Sequence, residues 1–128
     1  MSARILIADD HEFMRTGIRA MLAKWRPEWK VCGEASNGEE AVNAVIDLKP
    51  DIVILDVSMP IMSGIEAALR ISSLPLHPRI LLLTGHESDV FGTALAPSDA
   101  RGYVDKSHVI RELIPAIDTL LAQTSLPA

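Results

Sequence analysis

A single cysteine, Cys32, is all the thiol chemistry in 128 residues, so no disulfide can close within the chain and a reducing compartment suits it. Aromatic residues make up only 4%, which leaves any core to Ile, Leu, Val, Ala and Met. No apolar run approaches the roughly 18 residues that cross a bilayer. The opening Met-Ser-Ala-Arg, with a short apolar run behind it, is too brief for a secretory signal. Basic residues are in the minority. The net charge of −5 argues against nucleic-acid binding by this segment, because phosphate contacts need a basic surface. Neither G-x-x-x-x-G-K-[ST] nor G-x-G-x-x-G occurs, which removes the glycine-rich nucleotide cradles. What these absences leave is a cytoplasmic, single-domain protein, and a hydrophobic share of 48% is enough to build its core.

Three short apolar runs are present, and each ends on side-chain oxygen. Residues 4–8 run into Asp9-Asp10, residues 52–55 into Asp56, and residues 79–83 into Thr84. Such runs, bounded by turn residues, read as strands buried on both faces. Residues 30–35 make a half-buried strand, and residues 101–104 a short one leading into Asp105-Lys106-Ser107. Between them the spacing turns helical. Phe13, Met14, Ile18, Met21 and Leu22 mark a helix over 11–24, with Asp10 placed to cap it. Ala41, Val42, Val45, Ile46 and Leu48 mark a second, ended by Pro50 and opened by Ser36 with Glu39 or Asn37 with Glu40. Ser63 with Glu66 opens a third through Ser72. A fourth fits 89–96 before Pro97, and a fifth fits 108–123 with a bend at Pro115. Five strands alternating with five helices imply a doubly wound α/β fold, a parallel sheet covered on both faces by right-handed crossovers.

In open sheets of this class ligands bind beyond the carboxyl ends of the strands. With the strand order 2-1-3-4-5, Asp9, Asp10, Asp56, Thr84 and Lys106 converge there. Taken alone, Asp56 is equally well read as a turn cap. Taken together, three carboxylates within a few ångströms repel by about 4 kcal/mol per pair at an effective dielectric near 20. A hard divalent cation and an ammonium would relieve that repulsion. Carboxylates with water are ligands that suit Mg²⁺, Lys106 supplies the ammonium, and Thr84 supplies a hydroxyl. These are the parts a phosphoryl group needs. His11, beside the acids, is read as a helix-starting residue in solvent and not as a ligand.

On Asp9-Asp10, Leu55-Asp56 with Met59-Pro60 and Gly64, Thr84, and Gly102-Tyr103 ahead of Lys106, the chain resembles the receiver domain of two-component response regulators, and more closely the NarL/LuxR type. The resemblance implies a flavodoxin-like (βα)5 fold over residues 1–123, with 124–128 opening a linker or tail. It implies that Asp56 accepts a phosphoryl group from the phosphohistidine of a sensor histidine kinase. Asp10, Asp56, the backbone carbonyl of Ser58 and, through water, Asp9 would hold Mg²⁺. Lys106 would pair with the phosphoryl oxygens, Thr84 and Tyr103 would switch, and His86 would modulate loss of the group. Such a chain is a phosphoacceptor that assists its own phosphorylation, not an enzyme in the ordinary sense. Its output would be transcriptional, through a DNA-binding domain beyond this segment and a phosphorylation-linked homodimer. A stand-alone receiver acting by protein contacts is the alternative. Phosphatases of the haloacid dehalogenase type want a second acid two residues after the nucleophile, where Ser58 stands. Ser107 stands where many receivers have proline after a cis bond, which leaves the Lys106–Ser107 bond open.

Overall fold

In a computed structural model, residues 2–85 and 100–122 are described (the side chains of residues 100 and 101 excepted). They form β1 (Arg4–Ala8), α1 (Glu12–Trp25), β2 (Lys30–Ala35), α2 (Gly38–Leu48), β3 (Ile52–Asp56), α3 (Gly64–Ser72), β4 (Arg79–Thr84) and β5 (Ala100–Asp105). A 3-10 turn at Lys106–His108 then leads into α4 (Val109–Ala122). The five strands form one sheet in the order β2-β1-β3-β4-β5, every pair parallel. The doubly wound fold expected from the sequence is the one observed. The helix expected at 89–96 and the candidate residue His86 lie outside the described residues.

Alternation along the buried strands explains why both faces need cover. Ile5, Ile7, Ile52, Ile54, Leu81, Leu83 and Val104 point to one face, where α1 and α4 close over them with Ile18, Leu22, Leu113 and Ile117. Leu6, Ala8, Val53, Leu55, Ile80 and Leu82 point to the other, under Ala41 and Val45 of α2 and Ala67, Ala68 and Ile71 of α3. β2 is one of the two edge strands and is only partly buried. Its register with β1 slips between Ile5 and Leu6, leaving Cys32 without a partner residue. Burial raises the Cys32 thiol above its ordinary value, which disfavours the reactive thiolate.

Two helix faces differ from the sequence expectation. Phe13 is 92% exposed and Ile46 is also exposed. At 100° per residue Phe13 lies opposite Leu22 on α1, and Ile46 lies about 140° from Ala41 on α2, so neither can share the buried stripe. Ile110, in the first turn of α4, is 89% exposed as well. Asp10 does not cap α1: the N-cap residue is His11, and no side chain bonds there. On α2 the cap is Asn37, whose Oδ1 accepts the Glu40 N–H at 2.8 Å. The Glu40 carboxylate in turn accepts from the N–H and hydroxyl of Ser36. Ser63 caps α3 as expected, accepting the Glu66 N–H at 3.1 Å. The α4 helix runs on through Pro115, and among the described residues no peptide bond is cis, Lys106–Ser107 included.

Candidate functional site

Parallel register sets the depth of each site residue. Ala8 pairs with Leu55, Asp56 with Leu83, and Thr84 with Asp105. Asp9, Asp56 and Thr84 therefore end neighbouring strands at nearly one level, and Lys106 follows one residue later. The ladder continues past the strands: the Asp9 N–H reaches the Ala35 carbonyl at 3.0 Å and the Val57 N–H the Leu83 carbonyl at 2.9 Å. Asp9, Asp56 and Thr84 are all buried. Lys106 joins the acids, its Nζ 3.0 Å from Asp9 Oδ2 and 3.0 Å from Asp56 Oδ2.

The loop after β3 is fixed from several sides. Asp56 Oδ1 accepts the Ser58 N–H at 3.2 Å, a side-chain turn that holds the carboxylate over its own loop. Gly64 N–H donates to the Val57 carbonyl at 2.9 Å. A Cβ on Gly64 would fall 1.9 Å from the Asp56 carbonyl oxygen, so only glycine lets α3 start this close to the strand end. Between them, Met62 N–H closes on the Pro60 carbonyl at 2.7 Å with Ile61 at φ 70°. That three-residue turn is the rare, strained γ form, and its β-branched centre is 77% exposed.

Electrostatics follow from burial. The Asp56 carboxyl is pushed up from 3.8 to about 6, burial being the largest cause, with Lys106 opposing and the Asp9 charge adding. Burial also pulls Lys106 down, but the paired carboxylates of Asp9 and Asp56 outweigh it and hold the ammonium above its ordinary value. Three carboxylates facing one ammonium leave two formal negative charges. Asp9 Oδ2 and Asp56 Oδ2, though ion-paired, receive no well-directed hydrogen bond. Buried carboxylate oxygens with unused acceptor capacity suit a hard divalent cation. Donor atoms of Asp9, Asp10, His11 and Asp56 lie within 4.8 Å of one another.

Most of the residues singled out from sequence are therefore gathered at one edge. Asp9, Asp56, Thr84 and Lys106 are in the cleft, and Asp10 is at its exposed rim. Ser58 begins the loop, and Tyr103, on β5 opposite Leu82, is 51% exposed. One contributor went unread and one, His11, was read only as a helix start. Arg15 Nη1 donates to the Asp9 carbonyl at 2.7 Å while its Nε bonds Glu34 at 2.9 Å, tying the acidic pair to α1 and β2. His11 starts the helix as expected, yet its ring turns back onto both acids. Helical spacing offers one signal for the first: Arg15 lies four residues after His11, one turn along.

The match to known proteins agrees with this geometry. Residues 5–118 match the family described as "Response regulator receiver domain". The chain belongs to that family. Among curated relatives, the receiver is 39% identical over 121 residues to the response regulator GacA of Pseudomonas viridiflava, covering 93% of this chain and 55% of that protein. It is 33% identical to the putative positive transcription regulator BvgA of Bordetella pertussis, covering 95% and 57%. The chain thus spans about half the length of the curated relatives it matches. A crystal structure of a LuxR-family two-component response regulator from Aurantimonas sp. SI85-9A1 superposes with a TM-score of 0.86 at 38% identity, covering 95% of this chain and 86% of that one. Receiver domains are phosphoacceptors that bind Mg²⁺ at an acidic pocket, and the acidic cluster here is that pocket. Among the described residues no helix is long and apolar enough to cross a membrane.

Proposed function

We propose that Asp56 is the phosphoacceptor of this receiver, taking a phosphoryl group from the phosphohistidine of a sensor histidine kinase. The observation that supports this most is the Lys106 ammonium held 3.0 Å from Oδ2 of both Asp9 and Asp56 while those oxygens lack hydrogen bonds. An Asp56 carboxylate oxygen attacks phosphorus, the phosphorus–nitrogen bond breaks, and the donor imidazole leaves with its electron pair. An acyl phosphate results, a known form of covalent phosphoryl carriage. At pH 7 the nucleophile is mostly ionised, since its carboxyl sits at about 6. Asp10, Asp56 and the Ser58 carbonyl, with Asp9 beside them, would hold Mg²⁺, which would supply positive charge to the phosphoryl oxygens.

Lys106 exchanges its carboxylate partner for a phosphoryl oxygen, and Thr84 donates its hydroxyl to the same group. Tyr103 changes rotamer in step, and His86 influences hydrolysis back to Asp56 and inorganic phosphate. Residues 1–123 are assigned to the receiver and 124–128 to the start of a linker or tail. The output is transcriptional in the cytoplasm, through a DNA-binding domain and a phosphorylation-linked homodimer. Relatives that are regulators about twice as long support that reading. The test is incubation with Mg²⁺ and a small acyl-phosphate donor, followed by intact mass. One hydroxylamine-labile phosphoryl group is expected, absent in Asp56→Asn. A label that survives that substitution sinks the assignment.

A further inference from the structure

Packing does not set the direction of Asp10. Its side chain is 30% exposed, and the His11 ring 3.2 Å away is itself 66% exposed, so that contact holds it only weakly. Its aim depends on the peptide that joins it to Asp9. The Asp9 N–H belongs to the sheet, donating to the Ala35 carbonyl at 3.0 Å. The Asp9 carbonyl lies past the end of β1 and accepts from a side chain instead, Arg15 Nη1 at 2.7 Å. That guanidinium is fixed in turn. Arg15 Nε donates to Glu34 Oε1 at 2.9 Å, the two side chains being 16% and 24% exposed, and Arg19 Nη1 pairs with the other Glu34 oxygen. Glu34 stands on β2 in register with Ile7 of β1. One planar fork thus joins α1, β2 and the end of β1. The compact ammonium of a lysine, on its flexible stem, does not reproduce that fork.

Resting on the proposed Mg²⁺ site, we infer that Arg15 is a positioning residue for that site. By holding the Asp9 carbonyl it fixes the Asp9–Asp10 peptide, and so aims the Asp10 carboxylate at the ion. Charge alone predicts the opposite effect. A cation beside the acids repels Mg²⁺, so its removal would tighten binding. Loss of positioning weakens binding, and the sign of the change separates the two. A purely structural bond would shift the urea midpoint and leave the Mg²⁺ affinity of the folded chain alone.

Calorimetric titration with MgCl₂ tests this in the parent chain, Arg15→Gln, Arg15→Lys and Arg19→Gln, with urea melts to confirm that each is folded. Arg19 donates to Glu34 as Arg15 does, but not to the Asp9 carbonyl, so Arg19→Gln controls for lost charge and lost pairing. Both Arg15 variants are expected to lose about tenfold in Mg²⁺ affinity, the low end of what partners behind metal ligands contribute. Arg15→Lys does so with the charge kept, and it decides alone should Arg15→Gln fail to fold. Arg19→Gln should stay within about twofold of the parent or bind slightly more tightly. In phosphorylation by a small acyl-phosphate donor, the Mg²⁺ needed for half-maximal rate should rise by the same about tenfold in the Arg15 variants. Their rate at saturating Mg²⁺ should stay within about twofold of the parent. Arg15 variants that bind Mg²⁺ as tightly as the parent or more tightly overturn the inference, as does an equal loss in Arg19→Gln, and the cation site then stands. If the parent binds no Mg²⁺, the site itself fails and the role of Arg15 with it.

Discussion

Replacing Asp56 with Asn should make the metal-free receiver more stable at neutral pH. The substitution keeps the shape of a buried side chain and removes its charge. Holding that carboxyl ionised when its folded value is about 6, against 3.8 for the free group, costs about 3 kcal/mol. That cost already includes what the Lys106 ammonium gives back, since its hydrogen bond and charge hold the value down. A gain of about 3 kcal/mol is expected, or roughly 12 °C in melting temperature for a domain of this size. The pH dependence carries the sign. A raised folded value means that the penalty vanishes only well below 3.8, where Asp56 is protonated in both states, and is small at pH 4. The penalty grows as pH rises from 3.8 to about 6, is nearly complete there, and is full at pH 7. Urea titrations of both proteins in chelator, from pH 4 to pH 8, read the difference directly. A variant no more stable than the parent at pH 7, or a gain that persists undiminished at pH 4, refutes the reasoning.

Other perturbations follow from the same geometry. Lys106→Met strands Asp9 and Asp56 as buried, unpaired acids and should cost about 3–5 kcal/mol at pH 7 by urea midpoint. Adding Asp56→Asn should restore much of that loss. Gly64→Ala drives a Cβ to 1.9 Å from the Asp56 carbonyl oxygen, so a loss above about 2 kcal/mol is expected, with weakened Mg²⁺ binding by calorimetry. Ile61→Gly relieves a γ-turn at φ 70° worth about 1–2 kcal/mol of strain. Glycine's own unfolded-state entropy offsets part of this, so thermal melts should show a net gain near 1 kcal/mol.

The site was legible in sequence because each continuous apolar run stops where its strand does. Four apolar residues before Asp56 and four before Thr84 put both side chains at one edge, and parallel register did the rest. The helices were less legible where spacing alone had to choose a face. Phe13 sits beside Met14, and only its angle to Leu22 shows that it points away. Between Ser36 and Asn37 the capping pattern allows both, and the choice falls on Asn37 because its carbonyl oxygen reaches the Glu40 N–H. Arg15 and His11 read as an ordinary helix start. What they do depends on side-chain direction, on a ring turned back to two acids and a guanidinium aimed at a carbonyl, and neither is encoded in periodicity. Nor does the pattern of the β3–α3 loop disclose that Ile61 takes a conformation suited to glycine.

The most direct test of the central claim is to locate the phosphoryl group itself. The chain, phosphorylated with Mg²⁺ and a small acyl-phosphate donor, is treated with borohydride, which reduces an acyl phosphate to the alcohol, and its peptides are sequenced by mass. Homoserine at position 56, with Asp9 and Asp10 recovered intact, is the expected result. Homoserine at either of those acids, with Asp56 unchanged, would contradict the account.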